Sequence, residues 1–577
     1  MFKEEIIQLL AKQTKLREAE IENLIEIPPN SDLGDYAFPC FVLSKHFKKS
    51  PDKVAEHLKN EIKLGENLEK IQVIGPYLNF FVNKKKLASE IININANFGK
   101  SKIGKSRKIA IDFSAPNIGK PMHIGHIRST IIGDSLMRTY KFLGYSPVGI
   151  NYLGDIGLHI GKLIVAYELW VDKEALKKQP VAELLRLYVK FCGKEKTELQ
   201  EGLEEELQEN EWTNKAKEKL KQLELGDKKT EQVWNEIRKA SGKAFDKIYD
   251  ILKIDFTETT GQSKFSDKGR QLVIDALEKG IAKKESDGAV YVEIGKLRED
   301  TSKKPLGVVD KKYIQRSNET ASYITYDLGA AVERAKKYKF DKMIYVTDFR
   351  QKSHFESLFA ILKLMGYDFT DKLVHLPFGT VKFGNEIMAT REGKIILLED
   401  VLEKTIKKAG EEIKKRKTKG DAEKVGVGAV KYIILKNEPI KNVQFSWETA
   451  LNFEGNAGPY LQYSYARASS IIRKAKNFNK NNRRAKAEMK NLSNFEINLI
   501  KKIADFPEIV ERAGKQMNPS LIANYSFELS QIFNEFYHNC KVIGDKEEAL
   551  RLRLVDAFRT CLKNALYLLG IETMEEM

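Results

Sequence analysis

Two histidines three residues apart, His123 and His126, bracket a glycine in the segment Asn117-Ile-Gly-Lys-Pro-Met-His-Ile-Gly-His126. Upstream lies the strand-like run Lys108-Ile-Ala-Ile-Asp-Phe113, and a helical pattern begins near Ile127. The pair therefore falls where a parallel strand turns into a helix. Such a turn presents free backbone N–H groups and the positive end of a helix dipole, both of which favour phosphate. Imidazoles placed there can donate to a phosphate oxygen as negative charge builds, while Gly125 lets an adenine approach the backbone. A pair of histidines at a helix start also occurs as a simple cap or packing group, so the spacing alone does not decide.

The flanking residues decide. The stretch Phe113-Ser-Ala-Pro-Asn-Ile-Gly-Lys-Pro-Met-His-Ile-Gly-His-Ile-Arg-Ser-Thr-Ile-Ile-Gly-Asp134 closely resembles the HIGH region of the class I aminoacyl-tRNA synthetases, and most closely that of the arginyl-tRNA synthetases. The likeness covers nearly the whole chain. It implies a multidomain α/β protein: a class I Rossmann-like parallel-sheet catalytic domain, an N-terminal α+β appended domain and a C-terminal all-α anticodon-binding bundle. It also implies ATP as substrate with Mg²⁺, formation of arginyl-adenylate, and transfer of arginine to the terminal 2′-hydroxyl of tRNA(Arg). Activation is then expected to need bound tRNA.

Adenylation is an attack of a carboxylate on the α-phosphate of ATP, and positioning and electrostatic stabilisation drive it rather than a protein nucleophile. The resemblance gives ATP to Asn117, Lys120, His123, Gly125, His126 and Met388. The second phosphate-handling motif of the class, KMSKS, has as its counterpart Ile387-Met-Ala-Thr-Arg391, with Thr390 in the place of the catalytic lysine. In the arginyl family a lysine just upstream of HIGH takes over that role, and Lys120 stands there. Arg391 assists, and Met388 packs rather than reacts. The catalytic set is thus Lys120, His123, His126 and Arg391. No protein metal cage is expected, because Mg²⁺ is held mainly by ATP oxygens and water.

Arginine carries a planar, permanently charged fork, so its selection needs carboxylates and an aromatic contact in fixed geometry. Tyr323 and Asp327 stand at i, i+4, on one face if helical. The resemblance places both on the substrate side chain and adds Asp112 from the end of the first strand. Asn117 and Gln351 would hold the α-amino and carboxylate groups. For any one of these residues a cap or a core hydrogen bond is the plainer role. His159 stands where the family carries a polar amide and is left unassigned.

Lys and Arg exceed Asp and Glu to give a formal net charge of +17 and a pI near 9.2, which favours a polyanionic partner. A lysine-rich bias alone gives the same surplus. No apolar run approaches the roughly 20 residues that span a bilayer, and the N-terminus lacks a signal-peptide core. A cytoplasmic monomer without membrane association is expected. Cys40, Cys192, Cys540 and Cys561 are far apart and read as buried reduced thiols.

Three regions are expected: 1–104, an appended domain that meets the tRNA elbow; 105–400, catalytic, with a helical insertion over about 172–285; and 401–577, helical, for stem contact and anticodon binding. The sheet is expected to resume at Ala289-Val-Tyr-Val-Glu293 and Lys342-Met-Ile-Tyr-Val-Thr347. Gly458-Pro-Tyr-Leu-Gln-Tyr-Ser-Tyr-Ala-Arg467 also matches the arginyl family, so Tyr460 and Tyr463 are candidates to stack on anticodon bases, burial in a bundle being the alternative. The resemblance adds Tyr77 and Asn79 from the N-terminal domain and the terminal residue, Met577. Two other readings stay open: a catalytically silent RNA-binding relative, suggested by the missing KMSKS lysine, and a ligase for another amino acid.

Overall fold

In the computed structural model, residues 2–28, 30–197, 210–294, 311–317, 320–383, 397–475 and 492–577 are described. Met388, Thr390 and Arg391 lie outside the described residues, as does most of the basic run 473–490. The chain divides into two compact units.

The larger unit comprises residues 99–467, 507–528 and 562–577. Its centre is a five-stranded parallel sheet in the spatial order Leu373–Phe378, Lys342–Asp348, Lys108–Asp112, Ser146–Leu153, Glu258–Gly261. Strand order reverses between Lys108–Asp112 and Lys342–Asp348, the topological switch point at which open α/β sheets bind ligands. Helices cover both faces, so the central strands are apolar without alternation: Ala110, Ile111, Met343 and Ile344 are fully buried.

Helix Ile124–Phe142, the histidine helix, leaves the switch point and buries Ile127, Ile131, Ile132 and Leu136, the periodic face expected from the sequence. Its later turns hold the last part of the chain. Ser135 Oγ donates to the Leu568 carbonyl at 2.8 Å, and the buried Lys431 ammonium donates to the Gly570 carbonyl at 2.7 Å.

The strand at Val290–Glu293 corrects one expectation. It does not continue the parallel sheet but is the middle of a separate antiparallel sheet with Ala282–Lys284 and Lys311–Gln315. The returning parallel strand is instead Glu258–Gly261, inside the stretch expected to be a helical insertion. Its sequence, Glu-Thr-Thr-Gly, carries no hydrophobic signal because it is a four-residue edge strand. Apart from the strand Ala282–Lys284, the other described elements of that stretch are helices, notably Pro180–Thr197, Lys228–Leu252 and Ser266–Glu278.

The other unit comprises residues 1–98, 468–506 and 529–561. An antiparallel sheet, Tyr36–Pro39, Tyr77–Val82 and Leu68–Ile74, is its β component. Near its start the chain forms two helices, Phe2–Thr14 and Glu18–Leu24, separated at Lys15, whose φ of 57° leaves the helical region. Helix Asn494–Ala504 packs on Lys84–Ile91, and Lys501 pairs with Asp35 at 2.5 Å. Phe533 stacks on Phe558 with ring centroids 3.8 Å apart.

Candidate active site

Beyond Asp112 the chain leaves the sheet through two non-glycine residues in the left-handed region, Ser114 (φ 72°) and Ala115 (φ 47°). Each such residue costs on the order of 1–3 kcal/mol and persists only where surroundings over-determine it. Here they do. Ser114 N–H donates to Ser129 Oγ at 2.9 Å, Ala115 N–H to Asn151 Oδ1 at 3.2 Å, and the Ser114 hydroxyl lies 2.8 Å from that of Tyr249. The reversed chain then runs beside the end of the next strand, where Ile118 N–H donates to the Gly154 carbonyl at 3.1 Å. A Cβ at position 154 would stand 1.8 Å from Asn117 Oδ1, so a larger residue there displaces the Asn117 side chain.

The histidines form the N-terminal cap of their helix. His123 is the N-cap residue, and its Nδ1 accepts the Gly125 N–H at 3.0 Å. His126 Nδ1 accepts the His123 N–H at 3.1 Å. Both orphan backbone donors are thereby satisfied, as in a Ser–Glu capping box. Because each Nδ1 is an acceptor, the proton of each neutral ring sits on Nε2. Burial, then the charge of Lys120, then that of Arg350, lowers His123 to about 4. Burial, with His123 and Lys120 adding to it, lowers His126 to about 3. The site thus presents two neutral N–H donors, with ring centroids 4.0 Å apart. A Cβ on Gly125 would lie 2.7 Å from His123 Cε1, so this glycine is required first by the folded-back ring.

A cavity of about 350 Å³ opens at the switch point. The histidines, Gly125 and Asn117 line one wall; Asp112, Asp327, Arg334 and Gln351 contribute to the rest. Asp112 Oδ2 accepts from Arg334 Nη1 at 2.8 Å, with both side chains about 5% exposed or less. Burial pushes the Asp112 carboxyl up to about 6, against the pull of the Arg334 charge. Burial also disfavours the Arg334 charge, but Asp112, Tyr345 and Tyr152 together outweigh it and the guanidinium stays protonated. Asp327 Oδ2 is 2.6 Å from His354 Nε2. Four side-chain atoms of the lining, Tyr152 Oη, Gln262 Oε1, Arg334 Nη2 and Tyr345 Oη, are buried without a hydrogen-bond partner among the described residues. Buried polar atoms are rarely left so, and their concentration here marks a polar binding surface.

The other expected residues divide. Lys120 Nζ lies 4.7 Å from the centroid of the Tyr188 ring, close enough to depress His123, His126 and His159. Tyr323 begins helix Tyr323–Tyr338 one turn before Asp327, and a Cβ on Gly157 would stand 3.0 Å from its hydroxyl. It is not among the residues lining the cavity. His159 is half-buried and its Nε2 lies 3.4 Å from the Gly154 carbonyl oxygen. Tyr460 packs against Phe527 at 5.5 Å between centroids, and the Tyr463 hydroxyl accepts from Arg467 at 3.0 Å; both are half-buried. Met577 packs on a small cluster of Ala409, Ile413, Val425, Phe453 and Met574. In the smaller unit Tyr77 is half-buried against Phe41. Asn79, expected beside it, is 3% exposed in the middle strand of that sheet.

Sequence reasoning missed Arg334, Tyr152, Gln262 and Arg350 as cavity residues. Arg350 is clamped by Asp348 through two bonds of 2.8 Å. Only Arg350 carried a visible signal, its place just past the strand end beside Gln351. The bridge of Leu397 to His123 also shows that the chain returns to the histidines directly after residues 384–396, the segment that holds Met388 and Arg391.

Comparisons with known proteins agree with this geometry. The family model described as tRNA synthetases class I (R), catalytic domain, matches residues 89–447. A DALR anticodon binding domain matches 461–577, and an arginyl tRNA synthetase N-terminal domain matches 1–82. Arginine–tRNA ligase of Halothermothrix orenii is 40% identical over 595 residues and that of Clostridium botulinum (strain Hall) 39% over 589, each comparison covering both chains in full. The solved arginyl-tRNA synthetase of Thermus thermophilus superposes with a TM-score of 0.80 at 25% identity, again over the full length of both chains. A chain with this switch-point cavity, and with all three domain types in this order, belongs to the class I arginyl-tRNA synthetases.

Proposed function

We propose that the protein activates L-arginine with ATP to arginyl-adenylate, releasing pyrophosphate, and transfers the arginyl group to the 3′-terminal adenosine of tRNA(Arg), releasing AMP. The observation that carries this reading is one cavity with two kinds of wall. One bears the neutral imidazole donors at a helix N-terminus, and another bears Asp112 and Asp327.

In this reading the triphosphate lies along the histidine helix, with His123 and His126 donating through Nε2 to oxygens that gain charge as the α-phosphate is attacked. Neutral imidazoles suit the task, because they donate without titrating near pH 7. Lys120 supplies the ammonium expected of the absent KMSKS lysine, and Arg350 and Arg391 add positive charge. Asn117 and Gln351 hold the α-amino and carboxylate groups of arginine, and Asp112 and Asp327 receive its guanidinium. Magnesium enters with the triphosphate as part of the substrate; among the described residues no cluster of His, Cys, Asp or Glu is arranged to hold a metal.

Tyr460, Tyr463 and Met577 are proposed to meet the anticodon arm and Tyr77 the tRNA elbow. The protein is proposed to work as a monomer in the cytoplasm, and among the described residues no helix is long and apolar enough to cross a membrane. Charging of unfractionated tRNA with each amino acid in turn tests the reading. Arginine alone is expected to be esterified; charging with another amino acid, or with none, overturns it.

A further inference from the structure

The cavity proposed to receive a guanidinium already contains one. Arg334 stands in the Tyr323–Tyr338 helix with 3% of its surface exposed, donates to Asp112 at 2.8 Å, and lies over the Tyr152 ring at 4.4 Å. Its Nη2 has no partner among the described residues, unlike a guanidinium satisfied within a core network. A resident cation beside the berth of a cationic substrate opposes binding unless it changes the charge of the berth.

The facing groups allow that charge to be counted. Asp112 comes from the first strand, Asp327 and Arg334 from one helix, and His354 from helix Lys352–Leu364. Tyr152 and Tyr345 come from the flanking strands, and burial raises both phenols, so they stay protonated. Farther off, Asp155 is closed by Ser263, with Arg238 3.9 Å away. Among Asp112, Asp327 and Arg334, two carboxylates and one guanidinium leave one net negative charge, which one incoming guanidinium cancels. Without Arg334 the cavity would hold two carboxylates, one of them buried, and such a pair relieves itself by keeping a proton on one of them. Asp112, its side chain 5% exposed against 16% for Asp327, is the one that would hold it. A protonated carboxyl cannot serve as the anionic half of a guanidinium fork.

We propose that Arg334 is a positioning residue for amino-acid recognition: it holds Asp112 ionised and oriented, so that Asp112 and Asp327 together offer a single net negative charge to a monocationic side chain. The proposal rests on the arginine reading above. It differs from a structural ion pair in its pH signature. Burial already pushes Asp112 up to about 6 with Arg334 present, so removing the cation must carry its protonation into the neutral range.

The test uses the full-length chain and the variants Arg334→Met, Arg334→Lys, Asp112→Asn and Asp112→Asn/Arg334→Met. The quantity read is kcat/KM for arginine between about pH 6 and 8.5, because that ratio reports ionisations of the free enzyme. Arg334→Met is expected to lower it about tenfold or more near pH 7, because a carboxyl that keeps its proton to higher pH leaves few molecules with the anion that arginine needs. The deficit should shrink as pH rises and Asp112 loses its proton, while KM for ATP stays within about twofold, too little for lost nucleotide binding. Arg334→Lys should restore the shape of the unaltered profile, and the double variant should be low and flat at every pH.

A deficit in Arg334→Met that is equal at all pH values, or matched by the rise in KM for ATP, overturns the proposal. If Arg334→Met does not fold, Asp112→Asn in the presence of Arg334 carries the test. With the series extended down to about pH 5, it must abolish the fall in kcat/KM expected of the unaltered protein as pH drops through about 6, and persistence of that fall is equally fatal. Failure of the unaltered chain to charge tRNA with arginine is a separate outcome, which removes the arginine reading itself.

Discussion

His126 holds His123 by the backbone: its Nδ1 accepts the His123 N–H at 3.1 Å, while His123 Nδ1 accepts the N–H of the glycine between them at 3.0 Å. The two rings therefore cap their helix and, by the same bonds, turn both Nε2–H groups outward as donors. Structural and chemical roles are one arrangement.

That coupling predicts a titration. With burial lowering His123 to about 4 and His126 to about 3, neither ring should gain a proton between pH 8 and 5. Nitrogen-15 NMR of the histidines is expected to show both rings as Nε2–H tautomers, unchanged over that range. The sign for stability follows. The unfolded chain binds these protons near an ordinary value of about 6.5, so stability contributed here is present above that pH and is lost as pH falls toward 4. Titration of either ring near pH 6.5 contradicts the arrangement.

Gly125→Ala should separate stability from activity. An alanine gains up to about 1 kcal/mol of helix propensity, and the displaced His123 ring loses a cap also worth about 1 kcal/mol. Thermal melting should barely move. Adenylation should fall by about 100-fold, as when one oriented donor is removed, because Cβ at 2.7 Å from Cε1 forces the ring away. Pyrophosphate exchange in the presence of tRNA measures it; near-normal exchange refutes the ring's role.

Lys120→Ala is expected to slow activation by about 100-fold or more and to leave affinity for tRNA nearly intact. Equilibrium tRNA binding alongside single-turnover adenylation distinguishes these effects. The ammonium lies over Tyr188 at 4.7 Å, in helix Pro180–Thr197, and the variant gives up that cation–π contact. Unchanged exchange kinetics remove Lys120 from the mechanism.

Arg128, on the histidine helix, is fully buried and donates through Nη2 to the carbonyls of Glu438 (3.2 Å) and Pro439 (2.5 Å). Burial lowers it to about 10, so it is charged at neutral pH. Arg128→Met keeps the volume but removes a charged donor from two carbonyls that retain the N–H groups of Lys441 and Gly379, at about 1–3 kcal/mol. A lowered urea midpoint with an unchanged slope is the expected result. No shift in the midpoint shows that the Arg128 bonds add no net stability to carbonyls already bonded to Lys441 and Gly379.

Local pattern was enough for much of this protein. The strand into Asp112, the histidine helix and its apolar face were legible because both faces of a central strand, and one face of a packed helix, must be apolar. The motif residues His123, Gly125, His126, Asp112 and Asp327 announced the cavity because their types and positions suit phosphate and guanidinium. The polar edge strand Glu258–Gly261 escaped the pattern, and Val290–Glu293 pointed to the wrong sheet, since a short strand's partners are not written in its own residues. Asn79 reads as a surface residue by type, yet its burial depends on neighbouring strands far along the chain. Arg334 shows the division most sharply. It lies 222 residues from Asp112, and only folding brings their charges to 2.8 Å. Sequence by itself determined the family, the fold and the chemistry of the walls; the tertiary structure decided which histidine nitrogens carry protons and how much net charge the berth presents. Those are properties of distance and burial, and neither exists until the chain is folded.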